Sequence, residues 1–393
     1  MKVFALGGAG QFGKAVARKL IAADIVSEIV IAGRNLEAAK STAVELGVKA
    51  SAVQVDLFDE RQLASLAEGY DVMVNTAGPE RMVVLPALRA AIKAGVNYCD
   101  ICANGPTTER ALDLDAAAKK AGMTALMGIG EDPGLSNLLM MHAAHQLDQV
   151  EDLRFCIFFV VGLYGAGPKR VLAEMRKSGR SDANWQNIMS LAGPRVRLYR
   201  NGHWLDVDPV EDAVCVELPQ GYKVTAYPIG VSEPITVPRA LPNVRSVSVL
   251  ASLHPPELNE LWCELGARVD RGELDESAAA VKLYEYMASQ PERSIAAPKG
   301  YELGWIVWAD AVGVRQNRRM RYRCWPDGDW FSTVGPVTVA ALKLLRGEIR
   351  NKGVLSPESC LDPMPFFSEV AGHATAKPRN GKLLNESFEE LTQ

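Results

Sequence analysis

Long apolar runs are missing from this 393-residue chain, and no stretch approaches the ~20 consecutive apolar residues that a bilayer crossing needs. Only four apolar residues, Val3 to Leu6, precede the first glycines, so no secretory leader is read there. Excess charge of either sign is missing too. Lys and Arg number 43 against 47 Asp and Glu, and a net charge of −4 gives no footprint for nucleic acid or an anionic membrane as partner. Cysteines are few, seven in all, odd in number and without a framework spacing, which fits thiols in a reducing, cytoplasmic setting. Histidines number five; His142 and His145 share a helical face but have no carboxylate motif beside them, so no metal site is read. The hydrophobic share of 48% is ample for large cores, and the length predicts about two domains at ~150 residues each.

What is present begins with an alternation of strand and helix over residues 1–130. Strands are predicted at Val3–Leu6, Glu28–Ala32, Ala52–Val55, Val72–Val74, Asn97–Asp100 and Thr124–Met127. Helices are predicted at Gln11–Ala22, Leu36–Leu46, Glu60–Ala67, Met82–Ala94 and Thr107–Ala121. Short strands joined by helical crossovers make a parallel sheet, so the fold class is α/β, a Rossmann doubly wound sheet with ligands at the carboxyl strand ends.

Past residue 130 the rhythm changes. Strands are predicted at Glu151–Val161, Arg195–Tyr199, Lys223–Tyr227, Val244–Leu250, Glu302–Val314 and Arg318–Trp325, with Gln316-Asn317 turning the last two into a hairpin. Several alternate polar with apolar residues, as one-sided antiparallel sheets do. Residues 131–335 therefore read as an α+β substrate and dimerisation domain carrying a mostly antiparallel sheet. An amphipathic helix over 336–352 is expected to return to the first domain, and 370–393 reads as a polar, poorly ordered tail.

Gly8, Gly10 and Gly13 have the G-x-G-x-x-G spacing between an apolar strand and a helix. Such a turn brings backbone N–H groups and a helix N-terminus to a pyrophosphate, which assigns Gly8, Ala9, Gly10, Gln11 and Phe12 to the cofactor. An NAD site places Asp or Glu at the tip of the second strand; this chain has Gly33-Arg34-Asn35. A guanidinium pairs with a 2′-phosphate that a carboxylate would repel, so NADP is expected and NAD is less favoured. Asp56 and Leu57 end the third strand, where adenine packs, although Asp56 reads equally as a cap for the helix from Glu60. Thr76-Ala77-Gly78-Pro79 ends the fourth strand and suits the nicotinamide ribose. Tyr98 and Asp100 at the end of the fifth strand are candidates for proton transfer. The pair Cys99 and Cys102 reads as ordinary thiols, with no second pair at zinc spacing. Asp132-Pro133-Gly134 makes a turn after the sixth strand, placing Asp132 beside the catalytic candidates and Pro133 beside the cofactor.

Taken in order, Gly8-Ala9-Gly10-Gln11-Phe12-Gly13, Ala32-Gly33-Arg34, Asn75-Thr76-Ala77-Gly78-Pro79, Tyr98-Cys99-Asp100 and Asp132-Pro133-Gly134-Leu135-Ser136-Asn137 resemble the saccharopine dehydrogenase-like family. The closing stretch, Gly353 to Glu358 through Asp362-Pro363 to Phe366-Phe367, resembles the end of that family. The resemblance implies an NAD(P)-binding domain followed by an α/β domain, a homodimer, and oxidation or formation of C–N bonds in amino-acid or polyamine derivatives. Family sequences often carry Gly-Gly-Leu-Pro after the first strand of the second domain; this chain has Gly162-Leu163-Tyr164-Gly165 within that stretch. Tyr164 is thereby assigned to the substrate wall; one arginine of the second domain, Arg239 or alternatively Arg245, is read as a clamp for a substrate carboxylate. The expectation is an NADP-dependent oxidoreductase on CH–NH donors. Reduction of a C=C or C=O bond, as in enoyl reductases, and a non-catalytic NADP-binding redox sensor are the alternatives.

Overall fold

The computed structural model describes residues 1–160, 165–179, 181, 183–193, 195–291, 298–299, 304–374 and 376–392. Its contacts divide into two units, Met1–Met141 with Pro326–Leu383, and His142–Trp325 with Leu384–Gln393.

The first unit opens with β1 (Lys2–Leu6), α1 (Gln11–Ile21), β2 (Glu28–Gly33), α2 (Leu36–Leu46), β3 (Ala50–Gln54), α3 (Glu60–Ala67) and β4 (Val72–Asn75). It continues through α4 (Glu80–Ala94), β5 (Asn97–Asp100), α5 (Gly105–Leu112), α6 (Asp115–Lys120), β6 (Thr124–Leu126) and α7 (Leu135–Ala144), whose end passes into the second unit. In α1 the buried residues are Gly13, Val16, Ala17 and Leu20, the spacing that lays one helical stripe on a sheet. Strands β1, β4 and β6 are buried almost throughout, as parallel strands covered on both faces are. Phe4, Leu6, Val30, Met73, Tyr98 and Ala125 form the centre of this core.

Two boundaries differ from the sequence pattern. The helix expected over Thr107–Ala121 is two helices: Asn104 caps the first early by accepting from the Thr107 N–H, and a tightened turn from the Leu114 N–H to the Ala111 carbonyl separates them. Likewise α4 begins at Glu80, with Pro79 as its N-cap, two residues before the expected start.

The second unit contains β7 (Gln149–Val160), α8 (Ala166–Ser178), α9 (Ala183–Ser190), β8 (Val196–Arg200), β9 (His203–Val207), β10 (Val214–Glu217) and β11 (Lys223–Pro228). Then come α10 (Glu233–Ala240), β12 (Ser246–His254), α11 (Glu257–Asp270), α12 (Glu276–Ser289), β13 (Gly304–Arg315) and β14 (Arg318–Pro326). The chain closes with α13 (Val334–Leu345), β15 (Gly353–Leu355), α14 (Pro363–His373) and β16 (Leu384–Glu390).

The first sheet is parallel and runs β3-β2-β1-β4-β5-β6-β15, the Rossmann order with one added edge strand. The added β15 pairs with β6, and the Asp115 carboxylate accepts from the Val354 N–H to hold it. Helix α13 packs on α1, β4 and β5 of this unit. It stops at Leu345, short of the expected residue 352, because Gly347 turns left-handed at φ +68°.

The second sheet runs β10-β11-β12-β7-β13-β14-β16, with β8 joined to β12 and β9 to β8. It is mostly antiparallel; β7 and β12 pair in parallel from Asp152↔Ser246 to Val160↔His254. Gln316 and Asn317 have φ +51° and +61°, the left-handed pair that a tight two-residue hairpin uses. Residues 384–390, read from sequence as part of a polar tail, form β16 on this sheet. Polar side chains do not prevent pairing at an edge, and here Phe388 packs on Tyr322 and under the Arg315 guanidinium.

Candidate active site

The glycine turn after β1 closes on itself through the Gly10 N–H to the Gly7 carbonyl, 2.9 Å, and is tied to β2 by the Gly7 N–H to the Ala32 carbonyl, 2.9 Å. Gly7 takes the left-handed conformation, φ +73°, one residue ahead of the fingerprint glycines, and a Cβ there would stand 2.6 Å from the Ala77 nitrogen. A Cβ at Gly13 would meet the Gly7 carbonyl and stand 2.6 Å from Thr76 Oγ1. These glycines therefore let α1, the turn and the Thr76-Ala77 segment nest together. Gly10 is exposed, and no side chain caps α1. An uncapped helix N-terminus behind a glycine turn is the arrangement in which backbone N–H groups can meet an anion.

Around the sheet's carboxyl end the neighbouring strand tips are locked by side chains. Asn75 Nδ2 donates to the Tyr98 hydroxyl at 2.9 Å, and that hydroxyl donates to Asp100 Oδ2 at 2.8 Å. The other Asp100 oxygen accepts from the Cys102 N–H at 3.1 Å and the Gly128 N–H at 2.7 Å. Asn75 Oδ1 accepts from the Ala77 N–H. Asn75, Tyr98 and Asp100 are all buried. Burial pushes Asp100 up to about 6, against the pull of its two backbone donors and Tyr98, and it pushes the Tyr98 phenol well up. Both residues assigned from sequence to proton transfer thus lie inside the unit, and each Asp100 oxygen has a protein donor. They join β4, β5 and the segment after β6.

Glu80 has no place in the sequence reading, yet it belongs to this arrangement. Its Oε2 accepts from the Ala103 N–H at 2.6 Å and the Asn104 N–H at 3.1 Å, fixing the loop after β5. Burial pushes it up to about 7, the two N–H donors oppose this, and the Asp100 charge adds to it. A glutamate directly after Pro79, in the first turn of a helix, was the signal available for it. The C-x-x-C thiols, Cys99 and Cys102, are both buried, and burial pushes both well up, so neither is a ready nucleophile.

The turn after β6 is closed by the Gly130 N–H to the Pro133 carbonyl, 2.7 Å, and the Leu135 N–H to the Gly130 carbonyl, 3.0 Å. Asn137 Oδ1 accepts from the Gly134 N–H, and Asn137 Nδ2 donates to Glu358 Oε2. Gly134 has φ +121°, and a Cβ there would run into the Gly130 backbone. Pro133 is buried against Gly128, where a Cβ would stand 2.7 Å from Pro133 Cγ. Asp132 and Glu131 are half-buried, and desolvation pushes Glu131 up to about 7.

At the tip of β2 Arg34 is exposed, and its side chain has no ion pair among the described residues. Its carbonyl accepts from Gln54 Nε2, and the Val55 N–H bonds the Gly33 carbonyl, so the tips of β2 and β3 are neighbours. Nothing lies within 4 Å of a Cβ built on Gly33. Asn35 caps α2 through the Ala38 N–H. Asp56 is exposed and accepts from the Phe58 N–H, while Asp59 caps α3, so the capping alternative for Asp56 does not hold. Leu57 is buried and Phe58 is 57% exposed. The sequence reading passed over that aromatic face.

In the second unit, Tyr164 lies outside the described residues. Arg239 is exposed, but its guanidinium lies 4.9 Å over the Trp204 ring and donates to the Ile235 carbonyl, partners within its own unit. No group of three or more metal-ligating side chains is found among the described residues.

This geometry defines the first unit as a Rossmann dinucleotide-binding unit. Residues 3–126 match the family model of the saccharopine dehydrogenase NADP binding domain, so this segment is similar to that domain. It is 22% identical over 395 residues to the carboxyaminopropylagmatine dehydrogenase of Synechocystis sp., covering 92% of this chain and 94% of that protein. It is 29% identical over 413 residues to the carboxynorspermidine synthase of Vibrio cholerae, covering 92% and 93%. The solved saccharopine dehydrogenase (L-Glu forming) of Saccharomyces cerevisiae shares the fold, with a TM-score of 0.65 over 99% of each chain at 16% identity.

Proposed function

We propose that this chain is an NADP-dependent oxidoreductase acting at the C–N bond of an amino-acid or polyamine derivative. The observation that carries the cofactor choice is Arg34. It is exposed, without an ion pair among the described residues, at the strand tip where an acidic residue would hold the ribose of NAD. The family model's NADP-binding description supports the same choice, and the full-length relatives named above support the C–N chemistry.

The residues fit the cofactor. Gly8 to Phe12 cradle the pyrophosphate, Arg34 takes the 2′-phosphate, Asp56 and Leu57 border the adenine, and Phe58 offers its exposed ring beside them. Thr76 to Pro79 lie at the nicotinamide ribose. Held by these residues, the cofactor would supply a hydride to an imine carbon or, in the reverse direction, would take one from the carbon that bears the amine. Asn75, Tyr98, Asp100 and Glu80 act as positioning residues, holding the strand tips and the loop after β5. Of the three acid–base candidates, only Asp132 keeps partial exposure, and it is assigned the proton. The test is NADPH consumption with paired panels of amines and 2-oxo acids, followed by mass analysis. The expected result is a secondary amine formed faster with NADPH than with NADH. A reduced alkene or an alcohol as the only product would contradict the C–N assignment.

A further inference from the structure

In the first unit a chain of hydrogen bonds runs from Asp100 to the backbone of the Thr76–Pro79 segment, and every link has a direction. The Ala77 N–H donates to Asn75 Oδ1 at 3.0 Å, Asn75 Nδ2 donates to the Tyr98 hydroxyl at 2.9 Å, and that hydroxyl donates to Asp100 Oδ2 at 2.8 Å. Asp100 Oδ1 accepts from the Cys102 and Gly128 N–H groups. Asn75, Tyr98 and Asp100 are each at most 1% exposed, so water does not replace a lost link. The far end of the chain lies against the glycine turn, where a Cβ on Gly7 would stand 2.6 Å from the Ala77 nitrogen.

Resting on the oxidoreductase reading above, we propose that Asp100, Tyr98 and Asn75 form a directional relay: ionised Asp100 holds Thr76–Pro79 in the cofactor-binding position, and a proton on Asp100 releases it. The argument is a count of donors and acceptors. As a carboxylate Asp100 takes all three donors, and each hydrogen of the chain has an acceptor. Oδ1 already faces two backbone donors, so an incoming proton goes to Oδ2 and makes it a donor toward Tyr98. The phenol hydrogen must then turn to Asn75, its other partner. To receive it the amide has to present Oδ1, which sets Nδ2 against the Ala77 N–H, donor against donor.

Burial pushes Asp100 up to about 6, which places the change just below neutral pH. The titratable groups around Asp100 are Tyr98 and Cys99 on β5, Cys102 in the loop after it and Glu80 on α4. From β4 and the segment after β6 come Asn75 and the Gly128 N–H. Helix α13, packed on β4 and β5, carries Lys343 as its one titratable side chain, paired with Glu348 and Glu369. The phenol and both thiols are pushed well above neutral, which leaves Asp100 and Glu80 to change charge, and Glu80 holds the Ala103 and Asn104 N–H groups rather than Ala77.

Calorimetric titration of the full chain with oxidised NADP, which is stable in acid, tests this without turnover. The 2′-phosphate titrates in the same range, but it does so in every variant, so the comparison between proteins isolates Asp100. Between pH 7.5 and pH 5 the parent should lose about tenfold more affinity than Tyr98→Phe, which breaks the relay and keeps the carboxylate. Asp100→Asn puts an amide in the carboxyl's place and cannot ionise, so it should bind about tenfold more weakly than the parent at pH 7.5 and lack the extra loss in acid. If Asp100→Asn does not fold, Tyr98→Phe decides alone. Glu80→Gln removes the neighbouring titration but no link of the chain, and it should keep the parent's profile. One common pH profile for the parent and Tyr98→Phe, or an extra loss that Asp100→Asn retains or Glu80→Gln abolishes, overturns the proposal and leaves the oxidoreductase reading standing. Absence of dinucleotide binding at every pH defeats that reading and the proposal with it.

Discussion

At the carboxyl ends of β4 and β5, the buried polar side chains Asn75, Tyr98, Asp100 and Glu80 are tied to backbone donors or to one another. A cavity in the second unit is the opposite: among the described residues its walls are mostly aromatic and aliphatic and come from seven elements, with Arg170 and Glu174 as its charged side chains. A dinucleotide presents a fixed pattern of phosphates and hydroxyls, and a rigid set of backbone N–H groups and glycines answers it. An apolar group asks only for volume and dry surface, which many side chains can supply. The first kind of site is brittle to a single atom, and the second tolerates exchange among hydrophobic residues.

The strongest way to break that contrast is Gly13→Val. The new side chain would collide with the Gly7 carbonyl and Thr76, so dinucleotide binding should vanish and stability should fall by about 3 kcal/mol in urea unfolding. A protein that still bound NADPH would show the nest to be pliable. Next, Arg34→Asp should weaken NADPH by roughly 1–3 kcal/mol and leave NADH little changed, read by fluorescence titration with each cofactor. Tyr98→Phe removes the hydroxyl between Asn75 and Asp100 and should lower stability by about 1–2 kcal/mol. Leu283→Met in the cavity wall should cost less than that. The pH dependence concerns Glu80. Its folded-state pKa is raised to about 7 from 4.5, so the folded protein holds a proton the unfolded chain releases. That contribution is complete below pH ~4.5 and is lost as pH rises to about 7. Glu80→Gln keeps an acceptor for Ala103 and Asn104 without titrating. Its stability relative to the parent should therefore improve by about 2 kcal/mol between pH 5 and pH 8. A flat or opposite trend in urea midpoints would remove Glu80 from the account.

The same contrast explains what could be read in the chain. The glycine turn, Arg34 and the strand ends are contiguous strings whose meaning depends on near neighbours, and α2 and α3 match their expected limits. Asp100 and Tyr98 were visible as residues, but their burial was not, because it depends on β4 and β6 closing over β5. Glu80 was hidden for the same reason: its partners lie 23 and 24 residues away. The cavity draws on residues from Phe159 to Trp305, and no short motif marks such an assembly. Edge strands β15 and β16 were illegible as well, since each is defined by a partner strand far along the chain rather than by its own pattern.

The most direct test of the central claim follows the label. NADPH deuterated at the transferable position of the nicotinamide, supplied with an amine and a 2-oxo acid, should leave deuterium on the carbon bonded to nitrogen in a secondary amine. Deuterium found only on an alcohol carbon or a saturated former C=C bond would contradict it.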